Sequence, residues 1–362
     1  MSSLEQNQLS YIGIYGYKSI KKCNLGLKNI NVLIGSNGAG KSNFISVFSL
    51  LHSIARSELD IYAQQKGINT LFYNGTKITE KIYFEFVFNL KMYSLALKVT
   101  ENNRLVFYKE ALTDIETFES DELISINGYI NSRWERLDEI APILENHQWR
   151  VYHFHDTGPY SKIKTEHNLS NSKALQQDAS NLAAFLYRLQ KHYPTEYKNI
   201  LETIRLIAPY FKDFELEPME YNRELIVLKW LQKGCEDIFN ASQLSDGTLR
   251  FICLTTLLLQ PAKLQPTTII IDEPELGLHP FAITLFAEMV KKAAVNRQII
   301  LSTQSVELLN HFEPEDVIVV DRGEDGSIFK RLNAAELSHW IENDYTLGEM
   351  WNKNILGGRL SR

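Results

Sequence analysis

The feature that most constrains this chain is a glycine-rich octapeptide that follows a short apolar run. The octapeptide, Gly-Ser-Asn-Gly-Ala-Gly-Lys-Ser, runs from Gly35 to Ser42, and the apolar run before it covers 30–34. Glycines let successive backbone amides turn inward around an anionic oxygen, and a helix that begins directly after such a loop adds the positive end of its dipole. The pattern therefore predicts a strand, a phosphate-binding loop and a helix, in that order.

The residue types of this loop have separate expected roles in binding a nucleoside triphosphate. Lys41 is expected to reach the β and γ phosphates, and the hydroxyl of Ser42 is expected to coordinate Mg²⁺. The predicted nucleotide-binding residues of the loop are Gly35, Ser36, Asn37, Gly38, Ala39, Gly40, Lys41, Ser42 and Asn43.

A second apolar run, 267–271, ends in the adjacent carboxylates Asp272 and Glu273. A site that hydrolyses a nucleotide needs one carboxylate near the metal, and many such sites use a second one to orient and deprotonate water. We therefore expect Asp272 to be a metal ligand and Glu273 to be a catalytic base. An ordinary strand followed by an acidic turn has the same composition, but the upstream glycine-rich loop favours the catalytic interpretation.

Two further motifs carry a resemblance to a known family. Segment 244–250 reads Leu-Ser-Asp-Gly-Thr-Leu-Arg and resembles the Leu-Ser-Gly-Gly-Gln signature of ATP-binding-cassette (ABC) ATPases, in the variant form of the RecF, SMC and OLD-like branch. Segment 272–280 reads Asp-Glu-Pro-Glu-Leu-Gly-Leu-His-Pro, close to a run found in RecF-like and OLD-like ATPases. The resemblance implies an α/β fold: a P-loop NTPase with an ABC-type head, an antiparallel β lobe and a helical insertion.

The resemblance also implies a homodimer, or a higher homo-oligomer, with composite sites. In the family the signature approaches a nucleotide held by the other subunit, so Ser245 and Gly247 are expected to bind nucleotide there, through a hydroxyl and a backbone N–H at a helix N-terminus. His279 is expected at the contact between subunits. The alternatives are a serine that caps a core helix, and a histidine that ends a turn before Pro280.

Segment 299–305 begins as a third apolar strand and ends in polar residues, and among these Gln304 stands where the family carries a residue that senses the γ-phosphate. Transporters have histidine at this position. A glutamine amide can hydrogen-bond to phosphate or water but carries no charge, so we expect slow hydrolysis. The resemblance implies ATP and Mg²⁺ as cofactors, and the predicted catalytic residues are Glu273, Lys41 and Gln304.

Segment 149–157 contains His153, His155 and Asp156, and its sequence position matches the Q-loop of cassette ATPases. Alternation along a strand would place the two histidines on one face, but the sequence supplies no clear third ligand for a metal. The position suggests instead that His155 or Asp156 contacts the water shell of Mg²⁺.

The apolar patterns divide the chain into five predicted segments. Alternation over 82–88 and 93–99 predicts a β-rich lobe, helical spacing on either side of Pro194 predicts a helical hairpin, and 223–230 predicts one strand returning to the core. The segments are the first part of the ATPase head with the phosphate loop (1–65), the β-rich lobe (66–150), a connecting strand with the helical insertion (151–220), the second part of the head with signature, carboxylates and switch (221–335), and a C-terminal tail (336–362).

Composition narrows the classes of protein that this chain can belong to. The 362 residues are 44% hydrophobic and 23% charged, as in an ordinary globular protein. No run approaches the roughly 20 apolar residues that cross a bilayer. The N-terminus lacks the pattern of a secretion signal, and the three cysteines have no metal-ligand spacing. We therefore expect a cytoplasmic protein with no membrane partner.

The net charge of −6 argues against a uniformly basic nucleic-acid binder. DNA is a possible partner, but the net charge does not support it. We expect an ATP-hydrolysing ABC-class ATPase whose nucleotide-dependent dimerisation gates a separate effector protein, in prokaryotic anti-phage defence. The alternative is a RecF-like ATPase that binds DNA in repair or genome maintenance. Because both would share these motifs, the motifs do not separate them. A transporter subunit is disfavoured by Asp246, His279 and Gln304.

Overall fold

The computed structural model describes residues 8–129, 132 and 149–358. The chain forms two compact units. The first unit consists of Met1–Val151, Pro266–Ile270 and Asn296–Arg362, and the second consists of Tyr152–Gln265 and Ile271–Val295.

One sheet of the first unit is antiparallel and has six strands in the order β2-β1-β4-β5-β6-β7. The alternating burial of β4 explains its place, because Ile82, Phe84, Phe86 and Phe88 point to the buried face while less buried residues alternate with them. The predicted β-rich lobe is confirmed here, and the same sheet also contains β1 and β2 from before the phosphate loop. The strands are β1 Leu9–Tyr17, β2 Ile20–Gly26, β4 Lys81–Phe88, β5 Lys91–Val99, β6 Leu105–Asp114 and β7 Ser120–Tyr129.

The second six-stranded sheet has the order β17-β16-β3-β15-β14-β8. Strand β3 is parallel to both β15 and β16. Strands β3 and β15 are buried over nearly their whole length, as strands covered on both faces are. The last two residues of β14 belong to the second unit. The strands are β3 Ile30–Ile34, β8 Arg150–Tyr152, β14 Thr268–Asp272, β15 Gln298–Thr303, β16 Val317–Gly323 and β17 Gly326–Arg331.

Helix α1 (Lys41–Ala55) shares one apolar core with both sheets of the first unit. Its side chains Phe44 and Phe48 are fully buried in the cluster that contains Phe84 of β4 and Ile300 of β15. The helix is therefore fixed by packing over most of its length, and its first residue follows directly from the glycine-rich loop. The shorter helices of this unit are α2 Leu59–Lys66, α3 Ile68–Leu71, α8 Val306–Leu309, α9 Ala334–Ile341 and α10 Leu347–Asn352.

The second unit is mainly helical. Helices α4 (Leu182–His192) and α5 (Pro194–Ile207) confirm the predicted hairpin, and Pro194 is the first residue of α5 because a proline needs no N–H partner there. Helices α6 (Asp246–Leu259) and α7 (Pro280–Ala294) follow. Within the described ranges, no helix combines the length and the apolar character needed to span a bilayer.

The single strand predicted over 223–230 is wrong. Two short strands occupy this region, and they pair with different partners: β11 with β9, and β12 with β10 and β13. The chain changes partner at 227–228, which a run of apolar residues does not reveal. The strands are β9 His167–Asn168, β10 Phe211–Glu215, β11 Leu225–Ile226, β12 Lys229–Gln232 and β13 Ile238–Asn240.

Candidate nucleotide site

The backbone of the glycine-rich loop takes conformations that only glycine adopts at low cost. Gly38 has φ 79° and Gly40 has φ 123°. A Cβ atom at Gly40 would overlap Ser327 of β17, and one at Gly35 would overlap the carbonyl oxygen of Val320. At Gly38 no atom lies within 4 Å of that position. The loop therefore needs glycine at 35 for lack of space, at 38 for its backbone angle and at 40 for both reasons.

The Lys41 ammonium lies inside this loop. The residue is only 5% exposed, and Nζ donates to the carbonyl oxygens of Gly35 at 2.6 Å and Ser36 at 3.2 Å. The first turn of α1 contains no acidic residue, and no side chain caps it. A cation and an uncapped, acid-free helix N-terminus together fit a phosphate group. The exposed hydroxyl of Ser42 belongs to the same turn.

Hydroxyl groups support the loop from β17 and the β1–β2 turn. The Oγ atoms of Ser19 and Ser327 are 2.7 Å apart, and Asn43 Nδ2 donates to Ser19 Oγ at 2.7 Å. The side chain of Asn43 thus holds the loop in place, while its predicted contact with nucleotide stays a prediction.

Lys18 lies in the β1–β2 turn and reaches the same helix. Its Nζ donates to Ser46 Oγ of α1 at 2.8 Å. Burial, followed by the charge of Lys66, lowers the pKa of Lys18 to about 8. Lys18 therefore contacts the helix that follows the phosphate loop.

A C-terminal segment also contacts the loop, and sequence reasoning gave it no role. The amide of Ser36 donates to the carbonyl oxygen of Gly358 at 3.2 Å, and Gly358 N donates to Asp321 Oδ2 at 3.3 Å. Gly357 and Gly358 have φ 76° and 80°, which explains the pair of glycines. That adjacent pair was the available signal, since two glycines suggest a close backbone approach.

Gln304 lies at the edge of the phosphate loop. Strand β15 pairs in parallel with β3 so that Thr303 is opposite Ile34, and Gln304 and Gly35 therefore follow at the same end of the sheet. The residue is exposed. Gln304 thus lies at the same end of the sheet as the start of the phosphate loop, and its catalytic role stays a prediction.

In the second unit, Asp272 lies close to two histidines. Its Oδ2 is 3.7 Å from His153 Nδ1, and its carbonyl oxygen is 2.8 Å from His155 Nε2. Its Oδ1 is buried and has no hydrogen-bond partner among the described residues. An unpartnered carboxylate oxygen fits Mg²⁺, a cation that takes oxygen ligands.

The histidines themselves form no metal centre in the described part of the chain. No group of three or more His, Cys, Asp or Glu side chains there is arranged to hold a metal ion. Asp156 Oδ1 accepts a hydrogen bond from its neighbour Gly158 N at 3.3 Å. Of the two Q-loop candidates it is therefore His155 that contacts Asp272.

Glu273 adopts a left-handed backbone conformation with φ 45°. This region is costly for a residue with a side chain, and such residues cluster at functional sites. Glu273, with this unusual φ angle, is the first residue after β14, which ends at Asp272. The predicted base therefore stands at a sharp, strained turn.

The signature forms a helix N-terminus that packs on the loop after Glu273. Ser245 is the N-cap of α6, and its Oγ accepts from Thr248 N at 3.1 Å. A Cβ at Gly247 would overlap the carbonyl oxygen of Gly277. His279 caps α7 through Nδ1, which accepts from Phe281 N at 3.3 Å. Ser245 thus caps a helix, as the alternative interpretation predicted, and α7 begins at Pro280 directly after His279. The contacts of both residues with a second subunit stay predictions.

Ser245, Gly247 and His279 line one cavity of about 410 Å³. Apolar side chains complete its wall, among them Leu206 from the end of α5 and Phe281 from α7, and both are at least half exposed. The two predicted interface motifs therefore open on the same surface of the second unit.

Arg250 joins the signature helix to the histidine segment, and none of the predicted motifs implied this link. Its Nε donates to the carbonyl oxygen of Phe154 at 2.9 Å, and its Nη2 donates to that of His155 at 3.2 Å. Burial lowers the pKa of this guanidinium. Because His155 also contacts Asp272, hydrogen bonds run from α6 to the end of β14. An arginine within an apolar helix was the sequence signal.

A strand with parallel neighbours, followed by a glycine-rich loop and a helix, and the acid-ended β14 in the same sheet, define a P-loop ATPase of the SMC, RecF and OLD-like ABC class. The chain belongs to the AAA_21 family, described as "AAA domain, putative AbiEii toxin, Type IV TA system", whose pattern it matches over residues 30–310. No curated protein matches the sequence.

Solved structures with the same fold are SMC head domains. An SMC head bound to the C-terminal winged-helix domain of ScpA is 14% identical, with TM-score 0.58 over 91% of this chain and 99% of that one. The SMC head from Pyrococcus furiosus, bound to the C-terminal domain of ScpA, is 13% identical, with TM-score 0.56 over 93% and 99%. That from Pyrococcus yayanosii is 12% identical, with TM-score 0.54 over 93% and 99%. These likenesses establish the fold.

Proposed function

We propose that this chain is a slow, Mg²⁺-dependent ATPase whose ATP-dependent dimerisation gates a separate effector protein. The observation that carries the proposal is the buried Lys41 ammonium inside a glycine loop, at a helix N-terminus without acidic or capping residues. That combination favours a polyphosphate over other ligands. Membership of the AAA_21 family supports the same assignment.

In this proposal each predicted residue has one task. Lys41 and the loop amides bind the phosphates, and Ser42 and Asp272 hold Mg²⁺, which when bound neutralises phosphate charge. Glu273 takes a proton from water, and Gln304 orients water or phosphate through its amide. Ser245 and Gly247 approach the γ-phosphate held by the other subunit. Gln304 supplies no charge to the transition state, which is why we expect slow turnover.

A protein partner is supported by the relatives. Two of the SMC heads with this fold were solved bound to ScpA, and the family description refers to a toxin of a toxin–antitoxin system. A separate effector in prokaryotic anti-phage defence, acting in the cytoplasm, fits both. Genes adjacent to the one that encodes this chain would identify the effector.

The test is Glu273→Gln, which keeps the size of the side chain but removes the base. Hydrolysis should fall by about 10²- to 10⁴-fold, the usual contribution of a general base. Without turnover, ATP and Mg²⁺ should convert the monomer to a dimer, measured by light scattering after size exclusion. The control is Glu273→Gln combined with Lys41→Ala, which should stay monomeric.

Two outcomes would contradict the proposal separately. Unchanged turnover in Glu273→Gln would exclude this residue as the base. A variant that binds ATP but keeps the mass of a monomer would exclude gating by dimerisation. The trapped dimer also serves as bait to isolate the effector.

A further inference from the structure

A second cavity, of about 490 Å³, lies in the second unit beside the helical hairpin, and the ATPase proposal makes no use of it. Its volume is in the range of small-ligand sites, about 300–1,000 Å³. Three segments supply its wall, and no described residue that lines it is acidic. The polar and aromatic lining residues are Ser172, Tyr187, Arg188, His192, Tyr193 and Lys263.

Two of the side chains that line this cavity, Arg188 and Lys263, are cationic. Arg188 Nη1 donates to the carbonyl oxygen of Ser172 at 3.2 Å, which holds the guanidinium in place. Lys263 projects from the turn Ala262–Leu264. Neither forms an ion pair with a carboxylate in the described part of the chain.

The helix dipole does not account for these two cations. Lys191 and His192 lie in the last turn of α4, where positive charge is favoured whether or not a ligand binds. Arg188 precedes that turn, and Lys263 belongs to another segment. A guanidinium and an ammonium facing one acid-free cavity are suited to a phosphate, which arginine binds through paired N–H groups.

Two tyrosine rings that line this cavity each lie next to a lysine. Lys263 Nζ is 4.8 Å from the ring centre of Tyr193, and Lys191 Nζ is 5.4 Å from that of Tyr187. Both rings are partly exposed. Nucleobases stack on exposed aromatic side chains, while nearby cations bind the backbone phosphates. An acidic peptide would use the cations but would have no need of the rings.

We propose that this cavity binds a nucleotide unit, with its base against Tyr187 or Tyr193 and its phosphate at Arg188 and Lys263. The unit is either a free nucleotide or part of a single-stranded nucleic acid. The inference is independent of the ATPase proposal, since it shares no residue with the phosphate loop. It also gives a chain with net charge −6 a local surface for a polyanion.

The experiment uses the full chain carrying Lys41→Ala and no Mg²⁺, so that the phosphate loop does not contribute. Binding of a fluorescein-labelled thymidine dodecamer is followed by anisotropy, and thymidine monophosphate is the competitor. Arg188→Ala and Lys263→Glu should each weaken binding about tenfold or more, as expected for loss of a charge-assisted contact. Tyr193→Leu should weaken it about fivefold or more, whereas Tyr193→Phe should keep the stacking and the affinity.

The matched control is Lys198→Glu, an equal charge change at an exposed lysine of α5 that does not line the cavity. Its affinity should stay within about twofold of the parent, because one distant surface charge is largely screened. Melting followed by circular dichroism verifies that each variant folds. If Lys263→Glu does not fold, Lys263→Gln, a milder change at the same exposed site, takes its place.

Competition distinguishes a free nucleotide from a single-stranded nucleic acid as the ligand of this cavity. Displacement by thymidine monophosphate assigns the site to free nucleotides, and binding of the dodecamer alone assigns it to single-stranded nucleic acid. The proposal is overturned if neither probe binds, or if Lys198→Glu weakens binding as much as Lys263→Glu. It is also overturned if Tyr193→Leu and Tyr193→Phe behave alike while a labelled oligoglutamate peptide binds equally well.

Discussion

At the scale of single residues, Glu273 carries a carboxylate, which is able to act as a base, in a backbone conformation that is unfavourable for residues with a side chain. Its φ of 45° lies in the left-handed region, directly after a strand that ends in Asp272. For an L-residue this region costs about 1–2 kcal/mol. A residue that keeps such an angle is held there by its surroundings, which favours a functional reason for the position.

We expect Glu273→Gly to give a more stable protein than Glu273→Ala. Both changes remove the carboxylate, but only glycine relaxes the left-handed angle. The gain is reduced by the extra freedom of glycine in the unfolded chain, which leaves a difference of about 0.5–1 kcal/mol. Urea unfolding of the two variants measures it, and an alanine variant of equal or greater stability would show that residue 273 carries no strain.

The local structure around the site residues was predictable where it depended on neighbours in sequence, while their chemical roles stay predictions. The loop residues and Asp272 have environments that fit their predicted roles, because an octapeptide and a strand end define them locally. The contacts of Gly358 and Arg250 were not predictable in this way. Each joins segments that are remote in sequence, and a single hydrogen bond between such segments leaves no periodic pattern.

At the scale of elements, the glycine loop follows directly after β3 and also packs against β17. Gly40 is in contact with Ser327, whereas Gly38 faces open space. Both glycines allow a left-handed backbone angle, but only Gly40 also makes room for a neighbouring strand.

We expect Gly40→Ala to weaken ATP binding more than Gly38→Ala. The Gly38 change costs only backbone strain, about 1–2 kcal/mol, whereas the Gly40 change adds a collision with Ser327. Isothermal titration with ATP compares the two, and Ser327→Gly should partly restore Gly40→Ala because it removes the obstructing side chain. Equal losses in both variants, with no rescue, would contradict the packing argument.

Elements with a regular pattern were predicted well, and irregular ones were not. The alternation in β4 and the helical spacing around Pro194 each describe one face of one element. The run 223–230 failed because its apolar residues serve two strands that pair with different partners. Apolar character alone does not reveal a change of partner, since pairing is decided by segments far away in sequence.

At the scale of the whole molecule, the proposed dimer would use the surface around the 410 Å³ cavity. Phe281 is 50% exposed at the start of α7, beside the cap His279. Val295, at the other end of the same helix, is 74% exposed and does not line the cavity. The two positions therefore form a matched pair for a test of the interface.

In the Glu273→Gln background, we expect Phe281→Glu to weaken the ATP-dependent dimer at least about tenfold, because a charge would have to be buried unpaired. Val295→Glu should leave the dimer intact. Sedimentation over a range of protein concentrations measures both dissociation constants. A dimer that tolerates Phe281→Glu would place the interface elsewhere on the molecule.

The contact between Ser36 and Gly358 has a consequence for how the protein is made. At about 5–20 residues per second, a ribosome adds Gly358 tens of seconds after Ser36. Throughout that interval the loop lacks one of its hydrogen-bond partners, as well as the later strands β14, β15 and β16 of its sheet. A nascent chain thus acquires its complete phosphate cradle only late in translation, and a message cut short before this codon would yield a chain whose loop is never finished.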